Sequence, residues 1–225
     1  MSRSTVLATV ISLIPDHKDD CTLIGIDGRD GAGKTYFADE LAHQCSQELP
    51  RDVIRISIDD FHHPKSIRYR RGKTSPEGFW LDSYDYDRFF ADVVTPLSRG
   101  GSRRYRMRSH DIVSDAILDE EPVHEAAPAS IVIVDGIFLH RPELADVWHM
   151  SIFLDVSAEV CADRMLTRDG VVTALEPSAR YYGGQDIYFR TCQPHVKATV
   201  LIDNSVLDSP VLKTRHIPDF EMERR

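Results

Sequence analysis

Residues 28–35 read Gly28-Arg29-Asp30-Gly31-Ala32-Gly33-Lys34-Thr35, and they constrain the fold more than any other stretch. Glycines at 28, 31 and 33 let the backbone bend tightly and turn its N–H groups inward, which makes a concave seat for phosphate oxygens. Lys34 can then reach the β- and γ-phosphates of a nucleotide, and the Thr35 hydroxyl can coordinate Mg²⁺. The flanks match. Cys21-Thr22-Leu23-Ile24-Gly25-Ile26-Asp27 is a short apolar run ending at the loop, and Tyr36-Phe37-Ala38-Asp39-Glu40-Leu41-Ala42 follows with helical spacing. Strand, glycine loop and helix in that order are the context that G-x-x-x-x-G-K-[ST] requires. Residues 28–35 are therefore the expected ATP-binding loop.

The rest of the chain repeats the alternation. The β-branched run 52–58 predicts a second strand. Residues 131–136, Ile-Val-Ile-Val-Asp-Gly, are fully apolar up to Asp135, as a buried parallel strand should be. Further strands are predicted at 151–156 and 199–204, and helices at 6–14, 86–97, 143–148, 158–168 and 178–192. Residues 103–118 alternate like a hairpin or small sheet. Residues 64–84 are polar and read as a long loop, and the tail from 205 reads as irregular. Strands alternating with helices imply a three-layer α/β/α fold of the P-loop NTPase type. Its parallel sheet carries helices on both faces and a small β-hairpin insertion. One domain over 1–225 is expected, with a substrate-binding insertion at about 64–128 and a lid at about 157–195. The carboxyl ends of such strands bind ligands, which gathers the loop, Asp59 and Asp135.

Composition excludes several roles. A net charge of −9 over 225 residues argues against nucleic-acid or anionic-membrane binding. The apolar run 6–14 is too short to span a bilayer and lacks a cleavage site after it. Cys21, Cys45, Cys161 and Cys192 have no metal-site or C-x-x-C spacing, so reduced packing residues in a cytoplasmic protein are expected. There is no Asn-Lys-x-Asp guanine motif and no Leu-Ser-Gly-Gly-Gln signature, which argues against a GTPase and a transporter ATPase. A homo-oligomer stays open.

Phosphoryl transfer needs a cradle, Mg²⁺ and a group that orients or deprotonates the acceptor. Asp135 after four apolar residues has the Walker B form and is a metal candidate together with Thr35. Asp59 and Asp60 end the second strand. Either could accept a hydroxyl proton, and either could instead cap a turn. Arg164 and Arg168 lie at i and i+4 on a predicted helix, where lid arginines would cover the phosphates. Arg103, Arg104, Arg106 and Arg108 are a second basic cluster.

These residues resemble the uridine kinase family, within the wider phosphoribulokinase/uridine kinase group of P-loop kinases, over about residues 21–170. Four stretches carry the likeness. Gly25-Ile26-Asp27-Gly28 through Thr35 is the first. Ser57-Ile58-Asp59-Asp60-Phe61-His62 is similar to the family's Asp-Ser-Phe-Tyr segment. Tyr105-Arg106-Met107-Arg108-Ser109-His110 is similar to Tyr-Asp-Phe-x-x-His, and Val134-Asp135-Gly136-Ile137-Phe138 to Glu-Gly-Ile-Leu. The resemblance implies Asp59 as catalytic base, with Lys34 and Arg168 acting on the phosphates. It implies His62, Asp82, Tyr105 and His110 as substrate contacts, with Asp82 on ribose hydroxyls and Tyr105 and His110 lining a base pocket; Arg164, from its helical place beside Arg168, is the further expected substrate contact. Departures are clear too. Asp135 replaces Glu, His62 replaces Tyr, Arg106 and Met107 do not match, no Asp-His-Pro follows at Asp82, and Gly170-Val171-Val172-Thr173 stands where an Arg-rich lid would be. The expected reaction is transfer of the ATP γ-phosphate to a hydroxyl of a small molecule, foremost a nucleoside 5′-hydroxyl. The alternatives are another small alcohol (pantothenate-, ribosyl- or sugar-like) and a nucleotide-binding regulator without transfer.

Overall fold

A computed structural model describes residues 2–170 and 178–215. The chain opens with α1 (Arg3–Ile11), whose Ser2 side chain caps it by accepting from the Thr5 N–H. Val6, Leu7, Val10 and Ile11 form its buried stripe. Then come β1 (Thr22–Gly28), α2 (Lys34–Glu48) and β2 (Val53–Ser57). A 3₁₀ turn (Ile58–Phe61) leads to α3 (Lys65–Arg68), α4 (Pro76–Asp82), α5 (Tyr86–Phe89) and α6 (Thr95–Leu97), with a π turn (Phe90–Val94) joining the last two. Four two-residue strands follow, β3 (Arg104–Tyr105), β4 (His110–Asp111), β5 (Ala116–Ile117) and β6 (His124–Glu125). The chain continues through β7 (Ile131–Asp135), β8 (Met150–Asp155), α7 (Ala158–Asp169), α8 (Ser178–Cys192), α9 (Pro194–Lys197), β9 (Val200–Asp203) and β10 (Val211–Arg215).

The main sheet has the order β10-β9-β8-β1-β7-β2. Every pairing is parallel except β10 with β9. Side-chain alternation divides the core in two. Ile131 and Ile133 of β7 face Ile24, Ile26, Phe37, Leu41 and α1. Val132 and Val134 face Phe61, Phe89, Phe138 and Tyr188. Helices α1, α2 and α7 thus cover one face, and α4, α5 and α8 the other, which is the expected three-layer α/β/α arrangement. Gly25 is required where it stands, because a Cβ there would lie 2.8 Å from the Trp148 ring. Among the described residues no helix is long and apolar enough to cross a membrane.

The structure corrects four expectations. Residues 64–84 are not a loop: α3 and α4 form there, α4 starting from a Ser75 cap and Pro76 in its first turn. Phe79 and Trp80 draw α4 in, packing edge-on against Phe138 at 5.1 and 5.0 Å. The tail is not irregular throughout: at Val211–Arg215 β10 adds an antiparallel edge strand. Lys213 of that strand pairs with Asp155 at 2.8 Å and Asp203 at 3.2 Å, long-range contacts that local composition does not announce. The predicted helix at 143–148 shortens to a 3₁₀ turn, Pro142–Leu144. The hairpin region extends to residue 125 as two strand pairs, β3 with β6 and β4 with β5. Of the expected lid, residues 171–177 lie outside the described residues, as do 216–225 of the tail.

Candidate active site

Strand β1 delivers the glycine loop to the carboxyl edge of the sheet. Beneath it Asp27 is fully buried. One carboxylate oxygen accepts the Gly28 N–H at 2.7 Å; the other accepts the Leu139 N–H at 3.1 Å, His140 Nδ1 at 2.8 Å and the Tyr188 hydroxyl. The turn itself depends on two glycines in the left-handed region, Gly31 at φ 84° and Gly33 at φ 87°. A Cβ on Gly31 would also come within 2.5 Å of the Cys161 carbonyl oxygen. Gly33 starts α2, so the positive end of that helix points at the loop. Lys34 Nζ donates to the Arg29 carbonyl at 3.0 Å and lies 3.6 Å from the Asp30 carboxylate.

The back of the loop is held by α7, on the same face of the sheet as α2, and by the residues that follow β9. Arg164 of α7 donates to the carbonyls of Gly31 (3.3 Å), Asn204 (2.8 Å) and Ser205 (2.9 Å). The Asn204 amide donates to the Ala32 carbonyl at 2.8 Å. The Arg164 guanidinium thus faces loop carbonyls, the opposite side from the inward N–H groups, a position set by packing of α7 rather than by its helical spacing. Arg168, one turn on, is exposed, and its charge is felt at Asp30.

Register sets the rest of the site. Ser57 of β2 and Ile26 of β1 both pair with Asp135 of β7, so three strand ends lie level. Thr35 Oγ1 donates to one Asp135 oxygen at 2.8 Å, and Arg55 Nη2 pairs with the other at 3.0 Å. A hydroxyl and a carboxylate facing each other are the hard oxygen donors that suit Mg²⁺, which keeps waters and phosphate oxygens as its remaining ligands. Among the described residues no group of three or more His, Cys, Asp or Glu could hold a metal ion.

The 3₁₀ turn after β2 exposes Asp59 and half-buries Asp60. The Tyr84 hydroxyl donates to Asp59 Oδ1 at 2.7 Å, and His62 Nδ1 donates to the Asp59 carbonyl at 2.6 Å. Burial and then the Asp59 carboxylate push the Tyr84 phenol up, so it stays a donor. The Asp60 backbone carbonyl accepts the Ser109 N–H at 2.9 Å, and the carboxyls of both Asp59 and Asp135 act on its side chain. Burial raises its carboxyl, the neighbouring Asp59 adds to the rise and Arg108 opposes it.

The expected acceptor contacts do not all gather. His62 packs at a tilt against Tyr84 with ring centroids 4.5 Å apart. His110 joins this group through the Ser109–Asp60 bond and through its effect on the His62 titration. His110 Nε2 is 3.2 Å from Asp115 Oδ1, which also accepts from Arg68 at 3.3 Å. Tyr105 is not brought there. It is buried in the core beside Met107 and His124 and is influenced by Cys21, at the start of β1, the amino end of the sheet. Pairing of β3 with β6 turns its ring inward. The Asp82 carboxylate is fully buried and held by both Arg70 and Arg71. Burial disfavours its ionisation, but the arginines outweigh it and hold the carboxyl below its usual range.

Sequence reasoning passed over Asp27, Arg55, Tyr84, Gln185 and Asn204. Asp27 carried a signal, a charged residue inside an apolar strand. Arg55, inside the apolar run of β2, carried the same signal; Tyr84, Gln185 and Asn204 carry none, because nothing local marks them and their partners are far away in the chain.

Comparison with known proteins agrees with this geometry. The uridine kinase of Shewanella frigidimarina is 25% identical over 158 residues, covering 68% of this chain and 71% of the relative. A Bacillus stearothermophilus structure described as a possible uridine kinase superposes with a TM-score of 0.68 at 19% identity, covering 88% of this chain and 95% of that one. D-glycerate 3-kinase from Cryptococcus neoformans superposes with a TM-score of 0.60 at 10% identity, covering 93% and 98%. The family model for the Phosphoribulokinase / Uridine kinase family matches residues 23–172. With the glycine loop, the level strand ends and that match together, the chain belongs to the phosphoribulokinase/uridine kinase family and is a P-loop kinase of small molecules.

Proposed function

We propose that this kinase transfers the γ-phosphate of ATP to the 5′-hydroxyl of a nucleoside, with Asp59 as the base. The carrying observation is the exposed Asp59 carboxylate, fixed by the buried Tyr84 hydroxyl at 2.7 Å at the sheet edge that holds the loop. In this reading Asp59 takes the hydroxyl proton as that oxygen bonds to the γ-phosphorus and the bond to the β-phosphate oxygen breaks, releasing ADP. Lys34 and Arg168 offset the charge on the transferring oxygens. Thr35 and Asp135 would hold Mg²⁺, which supplies further charge neutralisation at the phosphates. The curated uridine kinase relatives support the nucleoside.

A second reading, a kinase of another small alcohol, is favoured by two observations. Asp82 is bound up with Arg70 and Arg71, and Tyr105 lies away from Asp59. A panel of nucleosides, sugars, glycerate and pantothenate, scored by ADP release, decides between them. Once the acceptor is known, Asp59→Asn should lower kcat by about 10²–10⁴, the range for loss of a general base. A loss within about threefold would remove Asp59 from that role.

A further inference from the structure

Helix α8 lies against the phosphate loop and meets it with three side chains. Gln185 Nε2 donates to Asp30 Oδ2 at 3.3 Å, and Gln185 Oε1 accepts the Asp30 backbone N–H at 3.3 Å. Asp186 stands 3.9 Å from the Arg29 guanidinium, which lies 4.1 Å over the Phe189 ring. Gln185 is only 2% exposed, so its amide is a built contact and not a solvated surface group.

Asp30 is a costly residue for its place. Its carboxylate lies 3.6 Å from Lys34, the cation of the loop that should meet the phosphates. A carboxylate left to swing there would neutralise Lys34 and repel an incoming triphosphate. Burial pushes the Asp30 carboxyl up, Lys34 pulls it down and Asp59 adds to the rise. These are the opposing fields expected of an anion inside an anion-binding loop.

We propose that Gln185 is a positioning residue for nucleotide binding: it ties one Asp30 oxygen to α8, holds the other at 3.6 Å from Lys34 Nζ, and so keeps the carboxylate from closing further on the cation that meets the triphosphate. The proposal rests on the loop's binding a nucleoside triphosphate. It makes α8 a working part of the nucleotide site. The same helix donates from Arg180 to the carbonyls of Arg68 at 2.8 Å and Ser75 at 3.2 Å, so it also anchors the acceptor-side helices.

The test is equilibrium binding of MgATP to wild type, Gln185→Ala, Asp30→Asn and the double variant, with thermal melting of each. Gln185→Ala should weaken binding about tenfold, on the scale of one hydrogen bond to a charged group. Asp30→Asn should bind more tightly than wild type. In the Asp30→Asn background Gln185→Ala should cost less than about twofold, because no carboxylate remains to restrain. Gln185→Glu, which keeps the shape but adds a charge beside Asp30, should weaken binding more than Gln185→Ala and keeps the test open should the alanine variant fold poorly. Equal losses from Gln185→Ala in both backgrounds overturn the proposal, since Gln185 would then act only by packing α8. Unchanged affinity in Gln185→Ala or Gln185→Glu overturns it as well. Lys34→Ala tests the underlying reading separately: wild type binding ATP no better than Lys34→Ala refutes nucleotide binding by the loop itself.

Discussion

Replacing Asp27 by Ala should both destabilise the chain and loosen the phosphate loop. The side chain has no contact with water and accepts from Gly28 at 2.7 Å, Leu139 at 3.1 Å, His140 at 2.8 Å and Tyr188. Hydrogen bonds to a charged group are worth about 1.5–3 kcal/mol each, and a buried donor left unsatisfied costs about 1–3 kcal/mol. The variant also removes a buried carboxylate, whose desolvation was unfavourable, so these figures do not simply add. Breaking one side of a buried polar network costs about 3–5 kcal/mol. For a chain of this size each kcal/mol moves Tm by about 2–4 °C, so a fall of about 6–20 °C is expected. Urea titration with an unchanged slope would confirm lost stability rather than an altered unfolded state. Tyr188→Phe, which removes one donor and also leaves the His140 N–H without its 2.9 Å acceptor, should cost about 1–3 kcal/mol. If Asp27→Ala stays within about 1 kcal/mol of wild type, Asp27 does not anchor the loop, and the burial argument fails.

Two further predictions follow from neighbouring contacts. Arg164→Ala should raise the KM for ATP by about tenfold with a smaller change in kcat, because the guanidinium holds loop carbonyls rather than reacting groups; steady-state kinetics at saturating acceptor checks it. An equal fall in kcat and kcat/KM would instead place Arg164 at the transferring phosphate. Asp82 gives a pH signature. Its carboxyl is depressed in the fold, so its contribution to stability is present above the unfolded value of about 4 and is lost as pH falls through the folded value. The stability gap between wild type and Asp82→Asn should therefore be constant near neutrality and shrink below about pH 4. A gap independent of pH down to about 2 would show that the Arg70 and Arg71 contacts do not hold the ionised form.

The parts of the site legible in the sequence are those whose function demands contiguous residues. A phosphate cradle needs glycines at fixed spacing on one loop, so 28–35 could be read directly. The strand at 131–135 and its terminal Asp135 could be read because a doubly covered parallel strand must be apolar throughout. The pairing of Thr35 with Asp135 followed only in outline, as two strand ends on one edge; their 2.8 Å contact and the competing Arg55 came from strand register. Local composition misled at 64–84, where Ser75 and Pro76 signalled a helix start but the apolar pair Phe79 and Trp80 finds its partner, Phe138, some sixty residues later.

Sequence alone determined the loop, its lysine and threonine, the alternation of the main parallel strands with helices, and two carboxylates at the sheet edge. Tertiary structure decided which groups face them. It set Tyr84 on Asp59, locked Asp82 to two arginines, buried Tyr105 near the other end of the sheet and laid Gln185 on Asp30. The physical reason is the range of the interactions. Backbone turns and helix starts are set by neighbours a few residues apart. An acceptor pocket is built by side chains from separate elements, and their meeting depends on how the helices pack across the sheet.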